Sequence, residues 1–97
     1  MTNSELVARI NGIVGYDVAT EEYLNTFREN VNVDGKDYPV YLCGNDEMFD
    51  GNEFYQVGID DSGNEYKFFY DTKDQNGNDI ELDCIDYSRA YRMEPYA

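Results

Sequence analysis

Between Asp37 and Tyr66 the chain carries eight carboxylates (Asp37, Asp46, Glu47, Asp50, Glu53, Asp60, Asp61 and Glu65) and not one Lys, Arg or His. Carboxylates at this density can serve acid–base catalysis, hold a cation, or present a field of fixed negative charge. Glycosidase-type catalysis needs two carboxyl groups facing each other across a sugar cleft, and a single small domain offers little room for one. A calcium-loop alignment with Gly77 in sixth place puts Thr72, which is no carboxylate, first and Asp83 where Glu is required. We therefore expect a solvated Asn76-Gly77 turn there, no metal and no cofactor. Nucleophile and phosphate motifs are missing too: the chain has no Gly-x-Ser-x-Gly, no P-loop, no Cys-x-x-Cys and no His for a triad. No catalytic residue is assigned, and the expected protein is not an enzyme.

That leaves the charge. In a strand, residues two apart leave the same face about 6.6 Å from one another, and duplex DNA sets its phosphates in a regular series along each strand. A rigid sheet studded with carboxylates is expected to offer a basic groove what nucleic acid offers it. The candidate partner-binding carboxylates are Asp46, Glu47, Asp50, Glu53, Asp60, Asp61 and Glu65. Tyr55 and Tyr66 are the candidate anchors among them, because tyrosine contributes contact area at low entropic cost. The plainer account of the same residues is a solvated acidic surface that confers only solubility. Seven tyrosines (Tyr38, Tyr41, Tyr55, Tyr66, Tyr70, Tyr87 and Tyr91) cannot all be core in so small a domain, so some are expected at the surface.

Ninety-seven residues imply one domain, residues 1–97, with a modest core. The net charge of −14 makes self-repulsion a cost to the compact state. Two cysteines, Cys43 and Cys84, follow an N-terminus without a basic or apolar leader region. The expectation is reduced, buried thiols, a cytoplasmic location in a host cell and no membrane.

The positioning elements follow from periodicity. Thr2-x-x-Glu5 is a capping box, with Leu6, Ile10, Ile13 and Val14 at helical spacing behind it and Gly15 to end the helix. Residues 17–30 predict a second helix, with Thr20 as cap and Tyr23, Leu24 and Phe27 as its apolar stripe. From Val31 the period becomes two. Asp34-Gly35 predicts a hairpin joining residues 31–33 to 38–42, with Pro39 placing the latter at an edge or a strand start. Residues 54–60 and 65–71 flank a second hairpin turn, and residues 80–87 read as a further strand. The tail from Ser88 reads as a short helix or a docked extension. The predicted fold is α+β: two short N-terminal helices packed on an antiparallel meander of about four to five strands.

Size, charge and this layout resemble small phage and mobile-element proteins that block host nucleic-acid enzymes. These are anti-CRISPR proteins, uracil-DNA glycosylase inhibitors and antirestriction proteins of the ArdA type. The segment Ile85-Asp86-Tyr87-Ser88-Arg89-Ala90-Tyr91-Arg92 resembles an Ile-Asp-Tyr stretch near the end of antirestriction proteins. The hairpin Val57-Gly58-Ile59-Asp60-Asp61-Ser62-Gly63-Asn64-Glu65 is similar to the last hairpin of the glycosylase inhibitor. The resemblance implies a non-enzymatic DNA-mimic inhibitor of a basic nucleic-acid-binding defence protein, a CRISPR effector first, without direct nucleic-acid binding. It carries no residue role across. The alternative is a small acidic protein-interaction module without nucleic-acid mimicry, and self-association as a homodimer stays open in both.

Overall fold

The computed structural model describes residues 1–43, 48–51, 53–71, 73, 75–81 and 86–96. Helix α1 spans Asn3–Val14 and begins as its capping box requires. Thr2 Oγ1 accepts from the Glu5 N–H at 3.2 Å, and Glu5 Oε1 accepts from the Thr2 N–H at 3.1 Å. That backbone bond is the main reason the Glu5 carboxyl lies below its ordinary pKa. Leu6, Ile10 and Val14 are buried, and Gly15 closes the helix at φ 93°.

The predicted second helix does not form. Within residues 17–30 there is a single 3₁₀ turn, Leu24–Phe27, and then strand β1 (Arg28–Val33) begins. The hairpin competes for the same residues and wins. Strand β2 (Lys36–Cys43) is long enough to pair six residues of β1, from Arg28↔Tyr41 to Val33↔Lys36, burying Val31 and Val33. What remains ahead of Arg28 is too short to nucleate a stable helix. Asp34 and Gly35, both in the left-handed region at φ 52° and 86°, supply the tight turn. Contrary to expectation, the strand of Pro39 neither begins there nor lies at an edge, but β4 pairs with β2 only at Tyr41–Cys43, so Pro39 has no strand beside it on that side.

A short β3 (Phe49–Asp50) turns at Gly51 into β4 (Glu53–Ile59), which forms the second hairpin with β5 (Glu65–Tyr70). Among the described residues the predicted strand at residues 80–87 does not form. Residues 82–85 lie outside the described residues, and Ile80, Glu81, Asp86 and Tyr87 belong to no strand. Asp86 Oδ1 instead accepts from the Ser88 N–H and hydroxyl, which turns the chain and holds the Asp86 carboxyl below its ordinary pKa. The free edge of β5 goes to β6 (Arg92–Pro95), so the tail is a docked extension in strand form.

The sheet order is β1-β2-β4-β5-β6, all antiparallel, with β3 beside β4. It curls strongly. The Ala90 N–H donates to Asn32 O at one end of the sheet, while the next N–H, of Tyr91, donates to Phe69 O at the other. Consecutive residues thus tie β1 to β5, close to barrel closure. Inside the curl pack Val31, Val33, Val40, Leu42, Phe54, Phe68 and Tyr70, with Ile80, Tyr87 and Met93 against them. On the outer face α1 covers Tyr41, Cys43, Val57 and Ile59. Among the described residues no helix is long and apolar enough to cross a membrane.

Candidate acidic interface

Strand β4 divides the predicted carboxylates into two groups, one at each end of a seven-residue strand, about 20 Å apart at 3.4 Å per residue. Asp50, Glu53 and Tyr55 gather at its start. Asp50 Oδ2 pairs with Lys67 Nζ at 3.3 Å, and that ammonium lies 4.9 Å from the centre of the Tyr55 ring. Glu53 Oε2 lies 3.1 Å from Arg92 Nη1 and accepts a hydrogen bond from the Tyr91 hydroxyl. The Arg92 guanidinium covers the buried Phe69 ring at 3.9 Å and also pairs with Glu94. This end is a mixed-charge, aromatic surface.

Asp60, Asp61 and Glu65 sit at the other end, in and beside the β4–β5 turn. The Asp60 carboxylate is occupied within the turn, accepting from the Ser62 N–H, the Asn64 N–H and Asn64 Nδ2. Asp61 Oδ1 accepts from Arg28 Nη1 at 3.1 Å, and Glu65 Oε2 pairs with Arg9 Nη2 at 2.7 Å. Tyr66 lies on the opposite face from Tyr55. Tyr66 packs on Phe68 inside the curl, whereas Tyr55 packs on Phe69 outside it. Asp46 and Glu47 lie outside the described residues.

A run without cations in sequence is therefore supplied with them in space. Arg9 comes from α1, Arg28 from β1, Lys67 from β5 and Arg92 from β6. The tyrosines also divide: Tyr41 and Tyr70 are buried, Tyr38, Tyr55, Tyr66 and Tyr87 half-buried, and Tyr91 exposed.

The loop after α1 presents a different surface, one not expected from the sequence. Tyr16 and Tyr23 are 61% and 57% exposed. With them stand Asp17, Glu21 and Glu22, all exposed and in no ion pair with a described residue. The loop is clamped from inside. Asn11 Oδ1 accepts from the Val18 and Ala19 N–H groups at 2.9 and 2.8 Å, and Asn11 Nδ2 donates to Ala19 O at 3.1 Å. Thr20 Oγ1 accepts from the Tyr23 N–H and closes a local turn, but it caps no helix: the 3₁₀ turn that follows has Tyr23 at its N-cap and no side-chain cap. Ala19 and Leu24 are buried on either side. Tyr23, expected in the apolar stripe of a helix, is instead exposed in this loop. The sequence signal of this surface was the absence of any Lys or Arg between Arg9 and Arg28.

A half-open cleft of about 630 Å³ lies elsewhere, at the end of β5, lined by Tyr70, Lys73, Ile80, Arg89 and Tyr91 among others. Lys73 is paired there with Asp79, whose carboxyl it holds below the ordinary value. None of the described residues among the predicted partner-binding set lines it. Comparison of the chain with family models, with curated proteins and with solved structures finds no match.

Proposed function

We propose that this protein is a non-enzymatic acidic inhibitor that binds the basic, nucleic-acid-binding surface of a host defence protein, in the manner of a DNA mimic. One observation supports this reading above the others. Ion pairs redistribute the charge without reducing it, and the chain keeps a net −14 on a fold tied together from α1 to β6. Carboxylates beyond the ion pairs, among them Asp17, Glu21, Glu22, Glu29, Asp34 and Asp71, then set a long-range negative field. Such a field accelerates encounter with a basic groove and displaces the counterions that nucleic acid would displace.

The test is competition. The protein is titrated into basic nucleic-acid enzymes, a CRISPR effector first, each holding labelled duplex DNA. Displacement of DNA is expected, weakening by about tenfold or more between roughly 50 and 200 mM salt. Absence of displacement across such enzymes rejects the mimic. A second reading, a protein-interaction module without mimicry, is favoured by the internal pairing of Asp50, Glu53, Asp61 and Glu65. It predicts binding that leaves DNA in place.

A further inference from the structure

We infer that the loop at residues 16–23 is the docking surface, and that it takes an arginine- or lysine-rich protein surface against Tyr16 and Tyr23. The inference rests on the binding reading above and moves its centre away from the β4–β5 hairpin. Three features converge on this loop. Its two tyrosines are more than half exposed, whereas most tyrosines of the chain are at least partly buried. Its three carboxylates, Asp17, Glu21 and Glu22, meet no described cation, while those of the hairpin hold Arg9 and Arg28. Its backbone is already ordered by the Asn11 clamp and by the Tyr23 N–H donating to Thr20 Oγ1, so little conformational entropy remains to be lost on binding.

Charge complementarity selects the occupant. A carboxylate already paired with arginine must give up that partner before it meets another, while Asp17, Glu21 and Glu22 are free of that exchange. Tyrosine ring faces attract guanidinium and ammonium groups, and tyrosine is among the residues enriched in interface hot spots. A basic protein surface satisfies both the ring faces and the exposed carboxylates of the same loop. An anionic surface satisfies neither.

The test uses the intact protein and a short synthetic arginine-rich peptide as probe, followed by backbone amide chemical shifts. The expected shifts centre on residues 16–23, with smaller changes at Asp60, Asp61 and Glu65. Replacing both Tyr16 and Tyr23 by Ser is expected to weaken peptide binding by about tenfold or more. Asp60→Asn with Asp61→Asn should leave it within about twofold, since exposed pairs contribute little each. An unchanged thermal melt confirms that the tyrosine variant is folded. If it melts early, Glu21→Gln with Glu22→Gln carries the same expectation of weaker, less salt-dependent binding. Shifts centred on the hairpin, undiminished binding by the loop variants, or no binding of the peptide at low salt would each overturn the inference. The inhibitory reading can fail separately, if the loop binds the peptide while the protein displaces no DNA.

Discussion

Gly58 lies inside the curl of the sheet, where a side chain has no room. A Cβ built there would sit 2.7 Å from Phe68 Cε2 and 3.0 Å from Val40 Cγ2, both belonging to buried residues. Gly58→Ala should therefore destabilise the protein by about 1–3 kcal/mol through overpacking. Gly12, exposed within α1 with nothing near its Cβ position, should behave oppositely. Gly12→Ala is expected to add about 0.5–1 kcal/mol from helix propensity. Urea denaturation of the two single variants checks both signs. Cys43 is the other informative residue at this scale. It is a buried free thiol, pushed up to about 12 from 9.0, first by burial and then by Glu65. In the unfolded chain the thiol ionises near 9, so above that pH the native state holds a proton that the unfolded state has lost. Stability from this group is complete below about pH 9 and declines as pH rises towards 12, by up to about 1.4 kcal/mol per pH unit. Burial shifts the Tyr70 hydroxyl upward as well, with the same sign at still higher pH. Unfolding titrations between pH 7 and pH 10 of the native protein and Cys43→Ala should diverge above pH 9, with the native protein losing more.

At the scale of elements, two competitions decide the architecture. Residues 28–30 could have extended a helix, but pairing with β2 gives them a complete hydrogen-bonded ladder and carries Val31 and Val33 into the core. The second competition concerns the connection from α1 to β1, which lacks regular structure until Leu24 and is held chiefly by the Asn11 side chain. Asn11 satisfies the N–H groups of Val18 and Ala19 and the carbonyl of Ala19, which is itself buried. Asn11→Ala should leave those backbone groups without partners and lower stability by about 1–3 kcal/mol. Amide exchange at Val18 and Ala19 should accelerate more than exchange within β4. Asn11→Asp, which keeps the acceptor of both N–H bonds, should lose less than Asn11→Ala. Equal losses in the two variants would mean that the clamp does not hold the loop.

For the whole molecule the governing quantity is the net charge of −14. Self-repulsion opposes the compact state, and added salt screens it over roughly 10 Å at 0.1 M. The melting temperature should therefore rise between about 20 and 500 mM NaCl, the reverse of what loss of surface ion pairs alone would give. The position of each carboxylate then sets the sign of its reversal. Glu21→Lys, in the loop without described cations, should hold or raise stability. Glu65→Lys should lower it by about 1 kcal/mol, because Arg9 loses its partner at 2.7 Å and gains a repelling neighbour. Thermal melts of both variants at low salt make the comparison, and salt should narrow the difference between them.

Local signals determined by the sequence alone are those closed within a few residues. Thr2 and Glu5 lie three apart and build their own cap, and Asp34-Gly35 supplies its own turn. The Asp60 carboxylate likewise completes its turn through Ser62 and Asn64. Alternating apolar residues were enough to predict an antiparallel sheet after Val31, because period two assigns the buried face without knowledge of the partner strand. Tertiary structure decided everything that joins distant residues. It turned residues 28–30 of an expected helix into β1, brought β6 to the edge of β5, and tied β1 to β5 through Ala90 and Tyr91. It also decided which charges remain unpaired. The cations that meet Asp50, Glu53, Asp61 and Glu65 lie 17, 39, 33 and 56 residues away in the chain. No local charge pattern encodes such pairing, because electrostatic partners are chosen by distance in space, and that distance exists only once the sheet has curled.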